Sequence, residues 1–270
     1  YEVRYPQMVP QGVRLRKNVP VKMRDGVELR VDVYEPDEGS GPWPAILAYS
    51  AFQKERSFES AKPAFYCRRG YACVQASERG VGFNQGRFCF HGVEAARDGY
   101  DLIEWLGEQP WCNGNVAMMG ASGYGVSQWL TAPLNPPHLK ALVVLGTTDN
   151  YRGLCYPGGV LRKGFVSYLV PRFIEGALWP GPIPGKEQPD NVMTDILANT
   201  EDGPFWWEHG GGWRTVEKIK TPVLNVMNTP NRLHTCSQLR SYSELKAPKK
   251  LVITPWTNEN YQPWIFETTA

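Results

Sequence analysis

Short apolar runs alternate along the chain with segments in which apolar residues recur at helical spacing. Buried strands are predicted at WPAILAYS (43–50), YACVQAS (71–77), GNVAMMG (114–120), LKALVVLGTT (139–148), TPVLNVMN (221–228) and KKLVITPW (249–256). Helices are predicted near 58–69, at 93–108 and 123–134, and near 236–246. Strands that alternate with helices in this way indicate a mostly parallel sheet with helices on both faces, which is an α/β fold.

The pattern changes at two places along the chain. Near the N-terminus, the alternating runs NVPVKM and ELRVDVYEP flank an Asp-Gly pair, which predicts a hairpin. Between residues 150 and 215 the periodicity is lost, Pro and Gly accumulate, and four of the ten tryptophans occur. We therefore predict a core formed by residues 1–149 and 216–270, with a cap inserted at 150–215 whose aromatic side chains form a small core, a pocket lining or both.

Composition narrows the functional classes. The chain has 270 residues, 42% of them hydrophobic, which is enough for one substantial core. A net charge of +2 gives no reason to expect nucleic acid, and without a run of 18 apolar residues or a signal peptide we expect no membrane span and a cytoplasmic protein. Six scattered cysteines predict free thiols, and we expect neither a metal nor an organic cofactor.

The stretch VAMMGASGYGVSQW places Ser122 between a predicted strand and a predicted helix. Small residues around a serine in that context predict a nucleophile elbow, where the helix dipole and the amide after the serine face a developing oxyanion. The usual Gly-x-Ser-x-Gly spacing is not met, since Gly120 is in place but the second glycine comes one position late, at Gly125. A non-catalytic glycine-rich turn is therefore the alternative interpretation.

Several stretches resemble the CocE/NonD-type serine hydrolases, the group of α/β-hydrolases that contains cocaine esterase and the Xaa-prolyl dipeptidyl peptidases. They include VPVKMRDGVELRVDVYEP, RGYACVQASERGVGFNQG and DGYDLIEWLGEQPWCNGNVAMMGASGYGVSQW. The elbow of that family commonly reads Gly-x-Ser-Tyr-x-Gly, which accounts for the position of Gly125. The resemblance extends from about residue 17 to 258 and implies an α/β-hydrolase fold.

The resemblance also implies positions for the catalytic partners, and the chain departs from the family at these positions. The family's acid falls on Asn231 and its histidine falls on Asn258. The tyrosine that supplies an oxyanion-hole hydroxyl falls on Phe52. Because an asparagine amide does not accept a proton near neutral pH, these replacements predict the loss of ordinary Ser-His-Asp hydrolysis. The predicted pocket around the serine contains Gly123, Phe52, Tyr124 and Trp256.

Other residues are candidates to replace the missing partners. His234 is the histidine nearest to the predicted site, although a structurally bonded side chain is the alternative. His91 lies in the glycine-rich loop region and is predicted to be able to reach the cleft, whereas His138 is expected on the far side of the sheet. His209 precedes Gly-Gly-Gly in the cap. This stretch follows the elbow in the chain, whereas the similar oxyanion motif of lipases precedes it. Asp149 is a candidate relocated acid.

Three functions stay open. The favoured one is a non-hydrolytic enzyme that performs a cyclase, isomerase or lyase-type step on a small apolar or aromatic metabolite, as in natural-product biosynthesis, with Ser122, Asn231 and Asn258 as neutral hydrogen-bonding groups. The second is an acyl esterase, amidase or Xaa-Pro peptidase-like hydrolase with a relocated base such as His234. The third is an inactive binding or assembly subunit. It follows from the expectation that the family's C-terminal β-sandwich is absent from this chain, so that a homo-oligomer or a second chain completes the C-terminal core.

Overall fold

The computed structural model describes residues 9, 11–54, 62–229 and 233–255. Within them, eight strands form one sheet: β1 (Val13–Lys22), β2 (Glu28–Pro36), β3 (Trp43–Ser50), β4 (Ala72–Ser77), β5 (Cys112–Ala121), β6 (Leu139–Leu145), β7 (Val223–Asn228) and β8 (Lys249–Thr254). Their order across the sheet is β1-β2-β4-β3-β5-β6-β7-β8. The β1–β2 and β2–β4 pairs are antiparallel and all the others are parallel, so the predicted mostly parallel sheet is confirmed.

Helices connect the strands of this sheet. They are α1 (Pro63–Cys67), α2 (Val93–Gly107), α3 (Gly123–Thr131), α4 (Tyr151–Cys155), α5 (Lys163–Leu178), α6 (Val192–Ala198), α7 (Pro204–Glu208) and α8 (Thr235–Glu244). In the described part of the chain, none of the helices has both the length and the apolar character needed to cross a bilayer.

The ends of some elements differ from the prediction for local backbone reasons. β1 starts at Val13 rather than at the predicted Asn18. A bulge at Asn18, whose φ is 53°, interrupts the strand, and the residues on both sides of the bulge pair with β2. β6 ends at Leu145 rather than at residue 148, because Gly146 turns the chain with a φ of 39°. The predicted helix 123–134 changes into a 3₁₀ turn at Ala132, next to Pro133, which has no amide hydrogen to continue the helix.

Apolar side chains cover both faces of the parallel sheet. On one face, Leu47 of β3 packs in a cluster with Leu102 and Leu106 of α2 and with the fully buried Trp129. On the other face, the neighbouring Ile46 belongs to a cluster with residues of α1. Because successive residues of a strand point to opposite faces, burial on both sides explains why these strands appear in the sequence as continuous apolar runs.

The segment between β6 and β7 contains four of the helices, α4 to α7, and none of the strands described above. These helices share one apolar cluster, in which Phe173 of α5 and Trp206 of α7 are buried against Phe88 and Phe90 from the loop after β4. Trp206 packs edge-on against Phe205, so part of the aromatic content forms the small core expected of a cap. The exact division of the chain into core and cap stays a prediction.

A buried ion pair fixes residues 51–54, the first part of the loop that follows β3. The Lys54 ammonium lies 2.8 Å from Asp32 of β2, and both side chains are about 4% exposed or less. The same ammonium donates to Asn18, and the Lys54 backbone amide donates to Ser77 at the end of β4. These bonds hold the loop that contains Phe52 in place.

We expect Lys54→Met to lower the free energy of unfolding by about 3–5 kcal/mol, because it leaves the buried Asp32 carboxylate without its charge partner. Arg24→Met is the matched control, since Arg24 pairs with Asp101 but is half exposed and should cost at most about 1 kcal/mol. Urea denaturation of both variants measures the difference. Equal losses in the two variants would show that the Lys54 pair does not hold the loop.

Candidate active site

Ser122 stands at the sharp turn between β5 and α3. Its φ of 54° and ψ of −119° place it in a conformation that residues other than glycine rarely adopt. The Ser122 amide donates to the carbonyls of Leu145 and Gly146, and its own carbonyl accepts the Thr147 hydroxyl at 2.5 Å. This is the backbone geometry of a nucleophile elbow, and the serine remains partly exposed.

The glycines around the serine are required by close packing. A Cβ on Gly120 would overlap the Cβ of Tyr124, and the φ of Gly120 is 154°. A Cβ on Gly125 would lie 2.5 Å from the Thr147 side chain. Gly125, the late second glycine, therefore lies where α3 crosses the loop after β6, and there is no space for a side chain at this position.

The amide of Gly123 directly follows Ser122, at the position where a nucleophile elbow offers an oxyanion donor. It is the first amide of α3, where the backbone N–H groups have no partner within the helix and the helix dipole is positive. Phe52 packs over Gly123, since a Cβ there would lie 2.7 Å from the Phe52 ring. The Phe52 amide already donates to the Ser50 hydroxyl at 3.1 Å, and its side chain has no hydroxyl.

The structure brings the predicted pocket residues Gly123, Phe52 and Tyr124 together beside Ser122. The ring of Phe52 lies 5.0 Å from that of Phe173 in α5 and 6.3 Å from that of Tyr124. One wall of the site is therefore aromatic and joins the sheet to the helices between β6 and β7. Asn231, Asn258 and Trp256 lie outside the described residues, so their predicted places in the site stay predictions.

His234 is the residue directly before α8, and only 4% of its surface is exposed. Its Nδ1 is buried and has no hydrogen-bond partner among the residues that the structure describes. Burial, with a smaller contribution from the Arg162 guanidinium, lowers the pKa of His234 to about 4, so the imidazole is neutral at physiological pH. Within the described residues, no hydrogen bond joins the Ser122 hydroxyl to this or any other imidazole.

Asp149, the candidate relocated acid, is occupied by contacts with α8. Its carboxylate accepts from Arg240 at 2.7 and 2.8 Å and from the Ser237 hydroxyl at 2.5 Å. Ser237 also bonds with Thr148 at 2.7 Å. Asp149 therefore ties α8 to the loop after β6, the loop that also holds the Ser122 carbonyl, and it does not orient a histidine.

The other three histidines bond elsewhere. His138 bonds with Glu104 at 2.9 Å, just before β6 begins, which places it at the opposite end of the strands from Ser122. The Nδ1 of His209 lies 2.8 Å from a carbonyl of its own segment. His91 is fully buried and bonds with Glu78 at 2.7 Å. No pattern in the sequence indicated the His91–Glu78 pair, because both residues lie in an irregular loop and meet only through packing.

Groups of three or more potential metal-ligating side chains were not found among the described residues. Each of the six cysteines lies in that part of the chain, and none of them forms a disulfide.

Comparison with known proteins agrees with this geometry. The model of the X-Pro dipeptidyl-peptidase (S15) family matches residues 25–171. The chain belongs to this family. Cocaine esterase from Rhodococcus sp. (strain MB1 Bresler) is 39% identical over 160 residues, which are 57% of this chain and 28% of the esterase. The predicted membership in the CocE/NonD-type hydrolases is thus confirmed.

Solved structures show the same fold. A CocE/NonD family hydrolase from Staphylococcus aureus superposes with a TM-score of 0.85 at 23% identity, over 94% of this chain and 49% of that chain. An acetyl xylan esterase from Paenibacillus sp. R4 superposes with a TM-score of 0.65 at 14% identity, over 98% and 84% of the two chains. The predicted α/β-hydrolase fold is confirmed, and the chain spans about half or less of the CocE-type relatives described.

We expect Gly120→Ala to destabilise the protein by more than about 2 kcal/mol, because the new methyl group meets Tyr124 and the backbone must leave a favourable glycine conformation. Gly164→Ala is the control, since a Cβ at this helical position of α5 meets nothing within 4 Å and should be neutral or stabilising by up to about 1 kcal/mol. Thermal or urea unfolding tests both variants. A Gly120 variant as stable as the control would contradict the close packing described here.

The pKa of His234 gives a pH-dependent prediction. Because the folded-state pKa of about 4 is below the unfolded value near 6.5, protons bind the unfolded chain more strongly between these values. The imidazole has no effect above pH 6.5 and destabilises the fold increasingly as the pH falls towards 4. Replacing it by Gln should therefore raise stability at pH 5, relative to pH 8, by about 2 kcal/mol.

Urea denaturation of wild type and His234→Gln at the two pH values measures this difference, and the contributions of other titrating groups cancel between the two proteins. The same pH dependence in both proteins would show that His234 is not held as a neutral imidazole.

Proposed function

We propose that the protein is a carboxylic ester hydrolase in which Ser122 forms a transient acyl-enzyme. The observation that carries this proposal is the Ser122 backbone. A conformation of this kind costs about 1–3 kcal/mol and persists only where the surroundings enforce it, as the bonds to Leu145, Gly146 and Thr147 do. In a nucleophile elbow, this backbone conformation exposes the serine Oγ at the end of the sheet. The name of the relative from Rhodococcus, cocaine esterase, supports an ester as substrate.

In the proposed reaction, the Ser122 oxygen attacks the ester carbonyl while a base removes its proton. The Gly123 amide stabilises the oxyanion, a contribution that is worth about 3–4 kcal/mol for a single donor in other enzymes. The ester C–O bond then breaks, and the proton leaves with the alcohol. Water hydrolyses the acyl-enzyme in the reverse sequence of proton transfers and releases the carboxylic acid.

His234 is the base that we assign to this reaction. It is neutral and therefore able to accept a proton, and it precedes α8, the helix that bonds to the loop beside Ser122. A base with a pKa far below neutrality is weak, which predicts slow acyl transfer and a preference for esters with good leaving groups. Contact between imidazole and Ser122 would have to form in the substrate complex, where catalytic hydrogen bonds often tighten.

A non-hydrolytic enzyme is the second candidate. Two observations favour it: the Ser122 hydroxyl has no imidazole partner among the described residues, and Phe52 offers no hydroxyl to an oxyanion. A neutral site beside the aromatic wall of Phe52 and Phe173 would position a small apolar or aromatic molecule and polarise it through the Gly123 amide. Cyclase, isomerase and lyase-type steps need no acyl-enzyme and fit such a site.

Labelling with a fluorophosphonate distinguishes the two candidates. The hydrolase proposal expects the wild type to be labelled at Ser122 and to hydrolyse p-nitrophenyl hexanoate, with both activities lost in Ser122→Ala. His234→Gln should slow hydrolysis by about 100-fold or more, because the general base is removed. Ser167→Ala, in an exposed part of α5, is the control and should behave as wild type.

A folded wild type that neither reacts with the probe nor hydrolyses the ester would overturn the hydrolase proposal in favour of the non-hydrolytic enzyme. Full hydrolysis by His234→Gln would keep the hydrolase but remove His234 as its base.

A further inference from the structure

A groove of about 570 Å³ opens at the end of the sheet opposite to Ser122. The residues that line it come just before β6, β7 and β8 in the chain, so they lie where these parallel strands begin, whereas Ser122 follows the end of β5. The volume is in the range of ligand-binding clefts. The groove therefore belongs to a part of the surface that the proposed ester hydrolysis does not use.

Three lysines line this groove. Lys218, Lys220 and Lys246 are exposed, and none of them forms an ion pair within the residues that the structure describes. Lys220 and Lys246 stand three residues before Val223 and Lys249, which are partners in the β7–β8 ladder, so the two lysines enter the sheet on neighbouring strands. Like charges that are gathered in this way repel each other unless an anion neutralises them.

Asn135 holds two of these lysines at fixed backbone positions. Its side-chain nitrogen donates to the Lys218 carbonyl at 3.1 Å, and its side-chain oxygen accepts the Lys220 amide at 3.1 Å. The φ of Asn135 is 51°, a left-handed conformation that asparagine adopts more readily than most residues. The segment before β7 is thus attached to the turn before β6, and this side of the groove is formed before any ligand binds.

The backbone amides of the two braced lysines are already occupied. The Lys218 amide donates to the Thr215 carbonyl at 2.9 Å, and the Lys220 amide donates to Asn135. Compact anions such as phosphate are typically bound by several converging backbone amides, which this segment does not offer. Ammonium groups on separate flexible side chains suit instead an extended ligand whose negative charges repeat along its length.

The rest of the lining favours a polypeptide over a nucleic acid as this extended ligand. Pro133, Ile219 and Ala247 give the groove an apolar part beside the lysines. The described residues that line the groove include no aromatic ring, so nucleic-acid bases would find no surface on which to stack. Apolar contacts next to ammonium groups suit a peptide that carries apolar side chains between its carboxylates.

We propose that this groove is a docking site for an acidic segment of a partner protein. The carboxylates of the segment lie against the three lysines, and its apolar side chains lie against Ile219 and its neighbours. Because exposed ion pairs are individually weak, the binding depends on several of them together and is transient and sensitive to salt. Lys140 of β6 and Lys250 of β8, both exposed near the starts of their strands, extend the positive surface beyond the groove.

Fluorescence anisotropy with an acidic peptide tests this inference. The probe is the fluorescein-labelled peptide Asp-Glu-Leu-Asp-Glu-Leu-Asp-Glu, titrated with the wild type at about 50 mM NaCl. Its affinity should fall about 10-fold or more in the combined variant Lys218→Gln, Lys220→Gln and Lys246→Gln, because three ion pairs are lost. The affinity should be retained when all three lysines are replaced by Arg, which keeps the charge. The same peptide with Asn and Gln in place of Asp and Glu should not bind.

The matched control variant carries Lys17→Gln, Lys22→Gln and Lys163→Gln. These three lysines are also exposed but lie outside the groove, so the control loses the same net charge and should bind the peptide as the wild type does. Equal losses of affinity in the two variants, or no binding by the folded wild type, would overturn the inference. An oligothymidylate that binds more tightly than the peptide, and only when the groove lysines are present, would overturn it in favour of a nucleic acid.

Discussion

The site depends on one backbone conformation, the left-handed turn at Ser122. It is enforced from β6, since the carbonyls of Leu145 and Gly146 accept the Ser122 amide and the Thr147 hydroxyl donates to its carbonyl. These bonds require α3 to lie directly against the loop after β6. The approach is so close that there is no room for a side chain at Gly125. The serine, the first amides of α3 and the loop thus form one unit whose parts cannot move independently.

Two groups of charged contacts support this unit from opposite sides. On one side, the buried pair of Lys54 and Asp32 fixes the loop that carries Phe52. On the other side, Asp149 binds Arg240 and so attaches α8, with His234 at its start, to the loop after β6. Because the buried Asp32 and Asp149 carboxylates would be costly to leave unpaired, the two ion pairs hold these segments in place.

The sequence predicted the sheet and the elbow because both leave local signals. A strand buried on two faces is a continuous apolar run, and a strained turn against a close neighbour needs glycines at fixed positions. The contacts of the polar residues leave no such local pattern in the sequence. Asp149 was a candidate acid, but it binds Arg240, and His91 binds Glu78. Neither pair could be predicted, because each joins segments that only tertiary packing brings together. The ends of strands differ from the prediction where single residues such as Gly146 turn the chain.

Within the described residues, the bonds that shape the Ser122 turn come from two backbone carbonyls and one threonine hydroxyl of β6 and the loop after it. The orientation of the serine is therefore set by the backbone of its own sheet. Side chains elsewhere around the serine can be replaced without releasing this turn.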